Sequence, residues 1–319
     1  MTDAVGIPYR HPVVRDLAWV MASAGLLQTA PEGQLLVTDE YCRQLYVTHD
    51  AHLRTLDEQP EPLLTVLSKS KSHRLGIYFE WLLRYWLQEI LQVQQLGHNV
   101  PVFQMQKEGG QRTLGEFDFL FRMNESQPLQ QWEATVKFYL QKIDEQGRPY
   151  WIGPGDRDRL DIKLARLFQH QLRLAELPEA KACLTDLGAE CVQPAGFIKG
   201  YLFYPLTEEG SFSPHPASDS SLLPCRLSPM HNKGWWFHWR DRSLPGPPAE
   251  THWVVLAKAL WLSPVRQTKN ETAWLSAADL LAYCEKYFAQ QDRPLLVAQL
   301  HWQSDAWQEV SRGFILAPS

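Results

Sequence analysis

The chain has 319 residues, a formal charge of −5 and 45% hydrophobic content, enough apolar material for a sizeable core and, by length, for two domains. With 31 basic against 36 acidic residues, it lacks the strongly basic balance of a general nucleic-acid coat, so any such contact has to use a local patch. Five cysteines, at positions 42, 183, 191, 225 and 284, are odd in number and form no CxxC pair; they read as reduced thiols. The start, Met1 to Gly6, has no basic stretch followed by an apolar one, and no apolar run approaches a membrane span. A cytoplasmic protein without membrane contact is expected.

In chain order, His11 to Leu27 has helical apolar spacing, and Thr38-Asp39-Glu40 opens a second helix through Leu45. Residues 57–62 are polar and hold two prolines, which predicts a boundary or loop. From Ser72 to about Leu96 a long helix carries a stripe of Leu75, Phe79, Leu82, Leu83, Trp86 and Ile90. Strands come next at roughly 100–106, 114–122 and 130–141. After the Gly/Pro loop 151–155, Asp156 or Asp158 is placed to cap a helix reaching Leu174, and Phe197 to Tyr204 reads as a further strand. Residues 205–250 are Pro-, Ser- and Gly-rich around the aromatic stretch Trp235-Trp236-Phe237-His238-Trp239. Then come a strand near Trp253 to Leu262, a helix opened by Ser276 with Asp279 in the capping-box position, and strands near 295–301 and 311–316.

The hairpin of the second and third strands carries the most chemistry. Phe117, Phe119 and Phe121 share one face of the first arm, with Glu116 and Asp118 on the other. On the second arm Trp132, Ala134, Val136 and Phe138 are apolar, and Glu133, Thr135 and Lys137 face away from them. If the loop closes near Glu125 and Ser126, Asp118 stands opposite Glu133, with Cβ atoms about 4.5–5.5 Å apart. Two carboxylates so close call for a positive charge between them. A divalent cation fits, because Mg²⁺ favours one or two carboxylates together with waters and phosphate oxygens. The plain alternative is a solvated hairpin face bearing a Glu-Lys pair.

The order α-β-β-β-α-β, with Asp118 on its second strand and Glu133 and Lys137 on its third, resembles the PD-(D/E)XK nuclease-like superfamily. The string Gly115-Glu116-Phe117-Asp118-Phe119-Leu120 is similar to that group's Gly-Glu-hydrophobic-Asp-hydrophobic pattern. The chain is also similar to a bacterial family of uncharacterised proteins placed in that superfamily. The resemblance covers about residues 72–205 and implies an α/β fold: a restriction-endonuclease-like core over 71–205, a helical N-terminal extension over 1–70, and an α+β, aromatic-rich C-terminal region over 206–319. It further implies Mg²⁺ (or Mn²⁺) as cofactor, phosphodiester hydrolysis in DNA as activity, Asp118 and Glu133 as metal-binding acids and Lys137 as the basic residue. The usual motif sets its lysine two residues after the acid. Here Thr135 stands there and Lys137 comes two residues later, on the same strand parity. That departure leaves room for a nuclease-like fold that binds nucleic acid or a protein partner without cutting.

Glu80 matches the acid that some members carry on the first core helix, as a further metal-binding acid; an i,i+4 ion pair with Arg84 is its plain alternative. Gln171 falls amid the stripe Leu160, Leu164, Leu167 and Leu174, so it points toward the sheet near the site or is a satisfied core amide. Arg159, Lys163, Arg166, His170 and Arg173 form a basic stripe suited to a phosphate backbone, or a solvated face. The aromatic stretch, with His231, Lys233, Arg240 and Arg242 around it, suits unpaired bases or a protein partner, or is simply core. The histidines show no HxxxH or HxH spacing, and neither a Walker-type loop nor Gly-x-Ser-x-Gly occurs.

Overall fold

The structure, a computed structural model, describes residues 7–106, 109–189, 192–212, 223–241, 244–245, 251–268, 271 and 274–318. Met1 to Gly6, Cys191 and Arg242 lie outside them. The chain is mixed α/β and divides into two compact units: residues 1–137, 162–199 and 223–230 in one, and 138–161, 200–222 and 231–319 in the other.

The first unit opens with α1 (Pro12–Ala22), whose Pro12 sits in the first turn, where its missing N–H costs nothing. This helix is buried nearly all round, and even its Asp16 is satisfied, accepting from the Tyr78 hydroxyl at 2.9 Å. Thr38 caps α2 (Asp39–Thr48) by accepting from the Tyr41 N–H. Next come α3 (Asp50–Glu58) and α4 (Glu61–Leu67). The break expected over 57–62 is the short loop Gln59-Pro60 between α3 and α4, and Pro62 lies in the first turn of α4.

α5 (Leu75–Tyr85) buries Phe79, Leu82 and Leu83 and continues as a π-helical turn, Trp86–Ile90. It is shorter than its apolar stripe suggests, because Gln92 takes a left-handed conformation, φ 51°, that ends the helix. The chain then enters β1 (Gln95–Met105), β2 (Gln111–Arg122) and β3 (Leu129–Ile143). A fourth strand, β4 (Pro149–Ile152), pairs back on the far end of β3. α6 (Leu160–Arg166) comes after it, extended by a π-helical turn over Leu167–Gln171 and a 3₁₀ turn over Leu174–Glu176. α7 (Pro178–Asp186) precedes β5 (Val192–Pro205). Within the first unit the strand order is β1-β2-β3-β5.

The aromatic face of β3 locks this sheet. Trp132 stacks on Phe197 at 5.4 Å with 7° between planes, and meets Phe121 edge-on at 5.0 Å. Phe197 in turn stacks on Phe79 of α5 at 5.9 Å. Gly115 lets Leu174 approach β2 closely: a Cβ there would lie 2.9 Å from the leucine Cδ1. A glycine in the Gly-Glu-Phe-Asp string is thus explained by close packing.

In the second unit β6 (Asn232–His238) pairs parallel with the end of β5. Beyond it are β7 (His252–Val255), β8 (Arg266–Gln267), α8 (Ala277–Phe288), β9 (Leu295–Gln303) and β10 (Ala306–Leu316), in the strand order β5-β6-β10-β9-β7. The Ser276/Asp279 capping box is present. Trp235, Phe237 and Trp239 point into this unit's core, with Trp253, Leu280 and Ile315. Among the described residues Cys42, Cys183, Cys225 and Cys284 are free thiols, and no helix is long and apolar enough to cross a membrane.

Replacing Trp132 by Ala should cost about 3–5 kcal/mol, because it removes a stacked ring that the surroundings cannot refill. Urea denaturation measures it; a loss below about 1 kcal/mol would mean that the stack does not hold the strand.

Candidate functional site

Backbone pairing of β2 with β3 runs Phe119↔Trp132, Leu120↔Gln131 and Phe121↔Gln130. One step further along that register, Asp118 meets Glu133. The face they share, with Leu120 and Gln131, is the one opposite the Trp132 stack. The π-helical turn after α6 supplies Gln171 to it.

Glu133 is almost wholly buried, at 1% exposure, and Gln131 is entirely so at 0%. Gln131 Nε2 donates to Glu133 Oε1 at 3.0 Å and to the Gln171 carbonyl at 3.0 Å. Gln171 Nε2 donates to Glu133 Oε2 at 3.3 Å. Asp118, half-buried, accepts from the Ala134 N–H through Oδ2 at 2.9 Å. The two carboxyls lie within hydrogen-bonding reach of each other.

The electrostatics result from this crowding. Burial first, and the neighbouring Glu133 charge second, push the Asp118 carboxyl up to about 8. Burial pushes Glu133 up to about 7 against the opposing effect of the Gln131 hydrogen bond and of hydrogen bonds from Asp118. Glu80 and the exposed Glu116 add further negative potential at Asp118. Near neutrality the pair therefore shares a proton, as two adjoining carboxyls do when neither can ionise freely beside the other.

The other residues singled out in the sequence have separate surroundings. Glu80 on α5 lies 3.7 Å from His98 Nε2 of β1. Arg84 turns elsewhere, to Gln88 Oε1 at 2.8 Å and over the Trp81 ring. Lys137 is half-buried on β3, four residues past Glu133, so its Cα lies about 13 Å further along the strand. Arg159 is held by Asp161 through two hydrogen bonds, at 3.0 and 2.9 Å, and Arg173 by Glu176. Lys163, Arg166 and His170 are exposed. In the second unit His231 is buried against the Tyr204 hydroxyl at 2.7 Å, Lys233 is half-buried, and Arg240 pairs with Glu285. Gln131 and His98 escape a reading of the sequence alone. Strand parity puts Gln131 on the face of Glu133, but nothing local shows that this face is covered.

Among the described residues no group of three or more His, Cys, Asp or Glu is arranged to hold a metal ion. What is present instead is two carboxylates, one of them oriented by the amide N–H groups of Gln131 and Gln171, which hold Glu133 and do not themselves ligate an ion. The pair suits a hard cation that keeps most of its waters and asks little of the protein. The raised protonation of both acids marks the charge that such a cation would balance.

Because both carboxyls bind protons more tightly in the folded chain than at their ordinary values of 3.8 and 4.5, stability falls as pH rises from about 4 to about 8. Asp118→Asn removes the repulsion and should stabilise the metal-free protein at pH 8, on the order of 1–3 kcal/mol, with little effect at pH 4. Calorimetric midpoints of both proteins across this range test it; equal slopes would refute the assignment.

The chain matches no curated protein and no solved structure. The family described as Domain of unknown function (DUF1853) matches residues 15–316, nearly the whole length, and the chain belongs to that family.

Proposed function

We propose that this protein is a divalent-cation-dependent nuclease that hydrolyses phosphodiester bonds in DNA, built on a restriction-endonuclease-like core. The observation that carries the reading is the half-buried Asp118 and the buried Glu133 set together by the register of β2 on β3, with the Ala134 N–H on one and two glutamine amides on the other. The succession α5, β1, β2, β3, α6, β5, with β4 and α7 as additions, supports it, since the PD-(D/E)XK resemblance sets its acids on the second and third strands of such an order.

Asp118 and Glu133 would hold the ion, with Glu80, now beside His98, as an outer acid. Mg²⁺ or Mn²⁺ supplies Lewis-acid polarisation of the scissile phosphate and a more acidic water. The chain's own contribution is orientation. The Ala134 N–H fixes Asp118, and the two glutamine amides fix the plane of Glu133. Lys137, on the same strand, would steady the charge that develops on the phosphate. Lys163 and Arg166, exposed on α6, would meet the DNA backbone. Arg159 and Arg173, each paired with a carboxylate in the structure, flank them in sequence.

A second reading is favoured by one specific observation. Thr135, not lysine, occupies the place two residues after Glu133. A site that keeps its acids but displaces its lysine is compatible with binding nucleic acid or a protein partner without cutting.

Purified protein incubated with single- and double-stranded DNA in Mg²⁺ or Mn²⁺ should cut, and Asp118→Ala should cut about 1,000-fold more slowly, because the ion contributes several kcal/mol to the transition state. Cleavage unchanged in that variant would sink the nuclease assignment. Lys137→Ala separates the two readings: it should lower the rate about 100-fold while DNA affinity stays within a few-fold. Binding without any cleavage in the wild type supports the second reading.

A further inference from the structure

Gln131 is unusual for a glutamine on a buried strand. Both groups that its Nε2 contacts, Glu133 Oε1 and the Gln171 carbonyl, accept hydrogen bonds. They fix which end of the amide is nitrogen, since the flipped amide would set oxygen against oxygen at two places. The other end is fixed in consequence. Its Oε1 is buried and meets no donor, a condition rare for buried polar atoms in folded proteins. An amide used only for filling would be cheaper as an apolar side chain of the same volume, which leaves no acceptor stranded.

The nitrogen end does two things at once. It holds one oxygen of Glu133 while Gln171 holds the other, so the carboxylate plane is pinned on both sides. It also ties down the turn that presents Gln171. That turn is π-wound, with the Leu172 N–H returning to the Leu167 carbonyl at 2.9 Å, and the Gln171 carbonyl is secured to β3 by Gln131. The orphan oxygen is the other end of the amide whose nitrogen contacts Glu133 Oε1 at 3.0 Å, so it is an unused acceptor next to the carboxylate that would hold a hydrated cation.

We propose that Gln131 is a positioning residue of the cation site: its nitrogen fixes Glu133 and the Gln171 turn, and its oxygen accepts from the hydration shell of the bound ion. The inference rests on the metal-site reading above. It is tested by Mn²⁺ binding, followed through the electron paramagnetic resonance of the free ion, for wild type, Asp118→Asn and Gln131→Met. Methionine keeps the volume and removes both polar ends. The wild type should bind the ion in a manner that Asp118→Asn abolishes. Gln131→Met should keep the wild-type thermal midpoint without metal and lose affinity about 10- to 100-fold, as outer-shell substitutions do. If Gln131→Met does not fold by circular dichroism, Gln131→Leu takes its place in the same comparison. Unchanged affinity in a folded variant overturns the role of Gln131 and leaves the metal site standing. An affinity loss matched by a loss of metal-free stability makes Gln131 a packing residue and also overturns it. Absence of Asp118-dependent binding in the wild type overturns both readings together.

Discussion

Everything at the site depends on two carboxyls being forced together where water cannot screen them. At about 4 Å and an effective dielectric near 20, like charges repel by about 4 kcal/mol, a large fraction of what a domain has to spare. The pair survives because the opposite face of the same strand is fixed by the stack of Trp132 on Phe197 and Phe79. A slip of one residue would turn Trp132 toward Asp118 and drive Glu133 into the aromatic core. The apolar side of β3 thus sets the register, and the polar side has to accept the consequence.

That consequence is managed in part by amides. Hydrogen bonds from Gln131 and from Asp118 favour the charged form of Glu133, while burial opposes it. Burial wins on balance, and at Asp118 the neighbouring charge adds to it. Neutral donors can orient a carboxylate without cancelling its charge, so in the proposed reading that charge is left for a cation to balance. A lysine or arginine lodged permanently between the acids would give a quieter, more stable protein and a closed site.

The hairpin could be read from the chain because its evidence is local: strict alternation on both arms and a short loop whose midpoint fixes the register. Other parts depend on residues far apart in sequence. Glu80 has Arg84 one turn later as its natural helical partner, yet β1 brings His98 to it, and Arg84 goes to Gln88. The stripe Leu160, Leu164, Leu167, Gln171, Leu174 assumes an α-helical pitch throughout. The structure inserts a π-helical turn at Leu167–Gln171, which rotates the residues after it, so Leu172 is buried as well as Leu174 and Gln171 reaches Glu133. Gln131 has the appearance of a solvated strand residue until that turn covers it. The aromatic stretch at 235–239 runs from β6 into the turn after it, and its alternate members, Trp235, Phe237 and Trp239, fill a core, which takes three of its large rings out of reach of any base.

If the proposed function holds, the position of Lys137 makes holding an ion and cutting a phosphate separable. In the proposed reading the ion is held by Asp118, which the Ala134 N–H orients, and by Glu133, which the two glutamines orient, and the lysine lies further along the strand. Cutting asks for more: a positive group near the phosphate as charge builds on it. From a Cα about 13 Å along the strand, an extended lysine spans only part of the way to Glu133, so its ammonium would meet the substrate beside the ion rather than the ion's own water. Such a lysine acts on the leaving or flanking phosphate oxygens, and its effect then depends on how the DNA is seated. Selection on substrate geometry could raise or extinguish cleavage through this one position while leaving the buried acid pair, and the fold that enforces it, unchanged.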